Sequence, residues 1–258
     1  MAELQETQHE SFQLPTNKEI PIWRYMDLTK YLLMLHRQSL FFARATLLGD
    51  QFEGASTKMM IAMREHLRRN RAADPALARY KALPEWAFTD LGSMLKPLVQ
   101  EFLVSCWHMS EHKSAAMWKV YSNANDAVSV QSTYRRLRDC LPQCVMIGEV
   151  KYINYDTDIF SEGQLFERVM HKRKPFEYER ELRAIFWERD STPAAQFYKP
   201  RITSSGLEIE VDLAALIEQV YVSPAAASWL PDLVKVMTAK CGYSFPVSPS
   251  ALAATPDY

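Results

Sequence analysis

Apolar positions along the chain fall into short blocks whose spacing switches between strand-like and helical. "IPIWRYM" (20–26) is an apolar block of strand length. "LTKYLLMLHRQ" follows with Leu28, Tyr31, Leu32 and Leu35 at helical spacing, and Asp27 stands where a helix N-cap belongs. "SLFFARA" (39–45) predicts a second strand, so the chain opens strand–helix–strand. Residues 56–105 turn helical in two or three pieces parted by "AADPA" and "LPEW". Beyond them "FLVSCWHMS" passes from helix toward a strand or turn, "SAAMWKVYS" predicts a short helix, and "DAVSVQST" a strand. "YRRLRDCL" predicts a helix and "VMIGEVKYINY" a strand. "LRAIFW", "GLEIEVD", "EQVYVS" and "YSFPVSP" predict further strands, with "WLPDLVKVMTAK" a late amphipathic helix.

Strands that mostly lack alternating long crossover helices predict an α+β fold: a mixed or antiparallel central sheet with a helical insertion after the second strand. The expected division is a flexible polar arm over 1–18, a single α+β domain over 19–246 with its insert at 56–105, and a C-terminal tail over 247–258. A chain of 258 residues, 48% apolar, is long enough to bury a sizeable core. Its net charge of −1 does not advertise nucleic acid or an anionic membrane, so such a partner would need a local patch. Two basic stretches, "REHLRRNR" and "YRRLR", keep nucleic acid open as a partner. The N-terminal stretch has no signal-peptide apolar core, and "LGSMLKPLVQEFLVSCW" is interrupted by Lys96, Pro97, Gln100 and Glu101. A cytoplasmic protein without a membrane segment is expected. Cys106, Cys140, Cys144 and Cys241 form no Cys-x-x-Cys motif and read as reduced thiols.

Candidate chemistry concentrates in "KRKPFEYERELRAIFW" (172–187). If a strand begins at Glu179, then Glu179, Glu181 and Arg183 share one face. Two carboxylates about 7 Å apart repel by about 2 kcal/mol at an effective dielectric near 20. A cation such as Arg183 or Arg24 must then sit between them, or the strand's mouth must open to water. Two readings fit: an ion-pair network, or a Glu-x-Glu pair at a cleft, set to hold a sugar hydroxyl or a developing cation. In "WRYM", Arg24 lies mid-strand between aromatic residues and needs an acid or a phosphate. "SLFFARATLLGDQFEG" delivers Arg44, Asp50 and Glu53 onto or just past the second strand, where a plain turn or a site fits equally. His108, Glu111 and His112 spell His-x-x-Glu-His, the inverted zinc-peptidase order; Ser110 as a cap would make the histidines flank a turn, so no metal is expected.

The blocks "IWRYMDLTKYLLMLHRQSLFFARATLLGDQFEG", "SCWHMSEHKSAAMWKVYSNANDAVSVQST" and "KRKPFEYERELRAI" together resemble a bacterial family catalogued as a domain of unknown function, number 2971, over residues 20–187. More loosely, the opening strand with Arg24, the helix, the "SLFFARA" strand and the late Glu-x-Glu resemble the order of parts in ADP-ribosyltransferases. That resemblance implies an NAD- or nucleotide-binding enzyme. Arg24 would hold the NAD ribose or phosphate, Glu181 would stabilise the oxocarbenium-like transition state, and Glu179 would be its acceptor-side partner. Tyr25, Arg44, Asp50, Glu53 and Trp118 complete the expected cofactor-binding set, with aromatic rings to stack on the ligand. Ser39 matches the family's second-strand polar residue poorly, because "FFAR" replaces a Ser-Thr-Ser triplet. A repurposed nucleotide pocket fits the same pattern. The alternatives in other classes are a non-enzymatic interaction module of a stress or phage-defence system, and a zinc hydrolase on His-x-x-Glu-His.

Overall fold

The computed structural model describes residues 9–89, 91–121, 126–190, 192, 195, 198, 200 and 202–253. The opening unit forms as the pattern predicts: β1 (Pro21–Asp27), α1 (Leu28–Arg37) and β2 (Ser39–Arg44). Asp27 caps α1 by accepting the Lys30 N–H at 2.7 Å. Gln38, left-handed at φ 50°, ends the helix and turns the chain into β2. The helical insert follows as α2 (Lys58–Asn70), a 3-10 turn (Pro75–Tyr80), α3 (Trp86–Thr89) and α4 (Leu91–Val99). Arg68, Arg69 and Arg71 find acids within the insert, Arg68 and Arg69 pairing with Glu65 and Arg68 and Arg71 with Glu85, while Lys58 and Arg64 pair outside it with Asp156 and Glu162.

After the insert come β3 (Phe102–Met109), α5 (Ala115–Tyr121), β4 (Ala127–Thr133) and α6 (Tyr134–Cys140). Next are β5 (Met146–Glu149), β6 (Lys151–Ile153), α7 (Glu167–Met170), β7 (His171–Arg173) and β8 (Glu181–Trp187). The chain closes through β9 (Gly206–Glu210), β10 (Gln219–Val222), a helix at Leu230–Lys240 and β11 (Val247–Pro249). The main sheet runs β11-β10-β4-β1-β3-β2-β9, with β8 on β3 and β5 on β8. Its pairs are antiparallel apart from β10 with β11. β6 and β7 form a separate parallel ribbon. This is the expected α+β architecture, mixed but mostly antiparallel.

β3 is the junction of the sheet. Along one edge it pairs with β8 from Phe102↔Trp187 to His108↔Glu181. Its other edge is shared: β1 pairs at Trp23↔His108 and Ile22↔Met109, β2 at Arg44↔Leu103 and Ala43↔Val104. The stretch between, Ser105 to Trp107, faces a fork between β1 and β2. Arg24 fills that fork, donating to Ser105 Oγ at 3.0 Å and to the Phe41 carbonyl at 2.7 Å. It lies 5.8 Å from the centroid of the Trp107 ring. Strand alternation then sorts the side chains onto two faces. Ile22, Met26, Leu103, Trp107, Val128, Leu182 and Ala184 build the larger core on one face. Trp23, Tyr25, Met117, Trp118 and Ala127 cluster on the other, as do Phe102, Val104 and Ile185 further along.

Several expectations are corrected here. "FLVSCWHMS", expected to pass from helix toward a strand or turn, is already strand from Phe102 to Met109. β8 starts at Glu181, not Glu179; residues 174–179 form a 3-10 turn, and Arg180 in the left-handed region (φ 39°) redirects the chain. In the stretch expected as a free arm, Phe12 is buried against Phe166, and Glu149 donates its N–H to Gln13 O at 2.8 Å. One aromatic in a polar run leaves no periodic signal, which is why the packing was missed. The expected tail boundary at 247 cuts into β11, which pairs with β10.

Arg24 is thus a brace of the fork, with no carboxylate within ion-pair distance among the described residues. Burial pulls its pKa down to about 10, so it stays charged at neutral pH. Arg24→Ala is expected to lower the melting temperature by roughly 5 °C, since two hydrogen bonds from a charged group are lost. Thermal denaturation checks this, and an unchanged midpoint would count against the brace.

Candidate functional site

The register decides which predicted residues meet. Trp23 opposes His108, and His108 opposes Glu181, so these side chains share one face of the sheet. Tyr25, Cys106 and Arg183 join them by the period of two. Arg24, one residue out of step, belongs to the opposite face. The expected meeting of Arg24 with the late glutamates does not occur, because the β1–β3 register puts odd-numbered β1 residues, not Arg24, beside Glu181.

A buried group of charges occupies this face. Arg183 holds Glu181 bidentately, with Nε to Oε1 at 2.8 Å and Nη2 to Oε2 at 3.1 Å. Arg183 also reaches Glu53 Oε2 at 2.7 Å and donates to the Val169 carbonyl at 2.6 Å. Lys172 Nζ lies 2.6 Å from Glu179 Oε2, 3.4 Å from Glu181 Oε2 and 3.6 Å from Glu53 Oε1. Three carboxylates thus surround two cations, all almost fully buried. Four separate segments deliver them. Glu53 comes from the loop after β2, Lys172 from β7, Glu179 from the 3-10 turn and the last two from β8. The Tyr152 hydroxyl accepts the Glu181 backbone N–H at 2.8 Å, and the Tyr121 hydroxyl stands 3.5 Å from Glu179 Oε2.

The three carboxylates are electrostatically distinct. Burial raises the Glu181 carboxyl, but Arg183 and Lys172 outweigh it and hold the group down at about 2. Burial wins at Glu179 against the pull of Lys172, so its pKa is raised. It wins at Glu53 too, against Arg183 and with help from the Glu181 charge. The group thus holds Glu181 as its firmest anion, while Glu179 and Glu53 bind a proton more readily than a free carboxyl does. Burial pushes the Cys106 thiol well up, and the neighbouring Glu181 charge adds to it, so Cys106 is no thiolate.

Beside the charges lies a cavity lined by Trp23, Tyr25, Cys106, Trp107, His108, Met117, Tyr121, Glu179 and Glu181. Its free volume of about 30 Å³ admits one or two waters and no aromatic ring. Trp118 packs edge-on against Tyr25 of this lining, with centroids 5.0 Å apart. His108 Nδ1 lies 2.6 Å from the Glu179 carbonyl oxygen.

Of the expected site residues, Glu179, Glu181, Glu53, Tyr25 and Trp118 come together here; Arg24, Arg44 and Asp50 do not. Arg44 bonds the Gln100 carbonyl at 2.7 Å, Glu188 at 3.0 Å and the Thr203 carbonyl at 3.1 Å, tying β2 to neighbouring loops. Asp50 holds Arg173 bidentately at 2.7 and 3.0 Å. Arg173 in turn lines a separate cleft of about 410 Å³ with Phe52, Lys58, Tyr155 and Lys174. His108 is buried in β3, whereas Glu111 and His112 are exposed beyond it. Among the described residues no group of three His, Cys, Asp or Glu side chains is placed to hold a metal. All four cysteines are unpaired. No helix among the described residues is long and apolar enough to cross a membrane.

Sequence reasoning missed Lys172 and Tyr121 as partners of the glutamates. The basic run opening "KRKPFEYERE" carried the first signal, and nothing local marked the second.

The lowered Glu181 pKa makes a prediction about acid stability. A carboxyl whose folded value of about 2 lies below its ordinary 4.5 contributes stability above 4.5, lost as pH falls toward 2. The raised Glu53 and Glu179 act oppositely, favouring the fold at low pH and less so as pH rises through their raised values. Urea midpoints measured from about pH 5 down to about pH 2 should therefore fall less steeply for Glu181→Gln than for wild type. Equal slopes would refute the assignment.

No protein-family model matches the sequence, the domain-of-unknown-function family included, and no curated protein matches it. Among solved structures the chain is similar to Thermus sp. 2.9 DarT in complex with ADP-ribosylated ssDNA, at 12% identity and TM-score 0.42, covering 94% of this chain and 99% of that one. The same protein in complex with NAD+ gives 11% identity and TM-score 0.42, covering 94% and 100%. Its complex with carba-NAD+ gives 10% identity and TM-score 0.40, covering 91% and 96%.

Proposed function

We propose that this face is the active site of an ADP-ribosyltransferase-like enzyme that uses NAD as the donor substrate. One observation carries the reading: a buried carboxylate, Glu181, is held ionised by Arg183 and Lys172 at the edge of an aromatic-lined cavity. Cleavage of a nicotinamide–ribose bond sends the bonding electrons to the pyridinium nitrogen, whose positive charge disappears as positive charge builds on the ribosyl carbon. A fixed anion near that carbon stabilises the transition state more than the ground state. Glu181 suits this role because its counter-ions are themselves fixed, so it needs no reorganisation when charge develops. Glu179, with its raised pKa, suits the complementary task of taking the proton from the attacking acceptor as the new bond to the ribosyl carbon forms. Tyr25 and Tyr121 supply ring faces and edges for the leaving nicotinamide. Entry of the ring requires Tyr121 and Met117 on α5 to move outward, since the cavity holds only water-sized groups.

Incubation with NAD should release nicotinamide, followed by chromatography, and intact NAD after prolonged incubation would overturn the enzymatic reading. A second reading rests on a specific observation of its own: each carboxylate of the Glu-x-Glu pair is already neutralised internally, and little space remains. The protein is then a non-enzymatic interaction module, in which Glu181→Ala lowers the melting temperature and there is no activity to lose.

A further inference from the structure

His108 is not used by the chemistry above, yet it is the most sharply specified polar group in the cavity. Its side chain is 3% exposed. Nδ1 lies 2.6 Å from the Glu179 carbonyl oxygen, which can only accept, so the ring proton sits on Nδ1. Nε2 is therefore a bare lone pair, and it is buried without a hydrogen-bond partner. A buried acceptor left unpaired opposes folding, and its persistence points to a ligand that completes it. Burial also lowers the imidazole pKa, with the Glu179 carbonyl working against it, so the ring stays neutral and Nε2 stays an acceptor. The other polar groups facing the same space are Glu179, Glu181, Tyr25, Tyr121 and Cys106, and the two carboxylates are acceptors as well.

Resting on the NAD reading above, we propose that His108 Nε2 determines specificity by accepting a hydrogen bond from the carboxamide N–H of the donor, selecting a primary amide over a carboxylate. A carboxamide NH2 has two donors to offer a lone pair and a neighbouring carboxylate. A nicotinic acid ring in its place would set an anion against the His108 lone pair and the neighbouring carboxylates, and that mismatch costs affinity.

The test titrates NAD and its carboxylate analogue, nicotinic acid adenine dinucleotide, into wild type, His108→Asn and His108→Gln. Wild type should favour NAD by roughly tenfold or more. Asparagine keeps a donor near the Nδ1 position but loses the acceptor, so the preference should collapse to within about threefold. Glutamine can return an oxygen to the Nε2 position and should restore most of the preference. A wild-type ratio in His108→Asn would overturn the inference while leaving the NAD reading intact. Failure of both dinucleotides to bind wild type would overturn the NAD reading and this ligand assignment together. Independently of any ligand, nitrogen-15 NMR of the imidazole in the free protein should report a proton on Nδ1 and none on Nε2. A protonated Nε2 would end the proposal whatever the titrations show.

Discussion

Arg183→Met is expected to lower the melting temperature by roughly 10 °C, the largest stability effect of any single change at the site. Arg183 is fully buried and serves four acceptor atoms: the two oxygens of Glu181, one of Glu53 and the Val169 carbonyl. Methionine fills much of the volume but removes the positive charge. Glu181 and Glu53 would then face each other with only Lys172 between them, and breaking such a buried pair costs about 3–5 kcal/mol. Adding Glu53→Gln to Arg183→Met should recover part of the loss, because one of the stranded carboxylates is neutralised. Differential scanning fluorimetry on the four proteins of this cycle measures the coupling. Additive effects would mean that Glu53 and Arg183 do not act as a pair.

Glu181→Gln should abolish nicotinamide release, by at least about 100-fold, while shifting the melting temperature far less than Arg183→Met. Both halves follow from the three-to-two balance of acids and bases. Removing one carboxylate leaves Glu53 with Arg183 and Glu179 with Lys172, so no buried charge is stranded. The amide keeps the shape of the acid but carries no charge to oppose the developing ribosyl cation. Steady-state rates and thermal midpoints on the same preparations separate the two effects. A variant that keeps its activity would remove Glu181 from the chemistry, and one that simply unfolds would favour the ion-pair scaffold.

How much of this was legible in the sequence differs by element. The strand–helix–strand opening could be read because the apolar period changes between Tyr25 and Tyr31, with Asp27 marking the switch. β3 could be read only as a passage from helix toward a strand or turn, because a central strand covered on both faces reads as a nearly continuous apolar run and here adjoins a helix. The Glu-x-Glu pair and the need for a cation between its members were visible, but the cation that touches both is Lys172, at 2.6 Å from Glu179 and 3.4 Å from Glu181, whereas Arg183 pairs only with Glu181 of the two. The choice of Arg24 as a partner failed for a reason no single strand reveals. Whether a β1 side chain faces β8's glutamates depends on the register across β3, and one step of register exchanges the faces. Lys172 sits on a three-residue strand too short to show a period. Glu53 was visible as part of a loop that fitted a turn or a site equally, but its partners were not, since they lie more than a hundred residues further on.

The central claim is that the Glu181 face of the sheet receives a pyridine dinucleotide. Calorimetric titration of NAD, and separately of ADP-ribose, into the intact protein tests it most directly. Saturable heat with NAD that disappears when Glu181 and His108 are replaced together, but survives Arg24→Ala, is the predicted result. No heat from either ligand, or binding that is lost with Arg24 and indifferent to the Glu181 face, would contradict it.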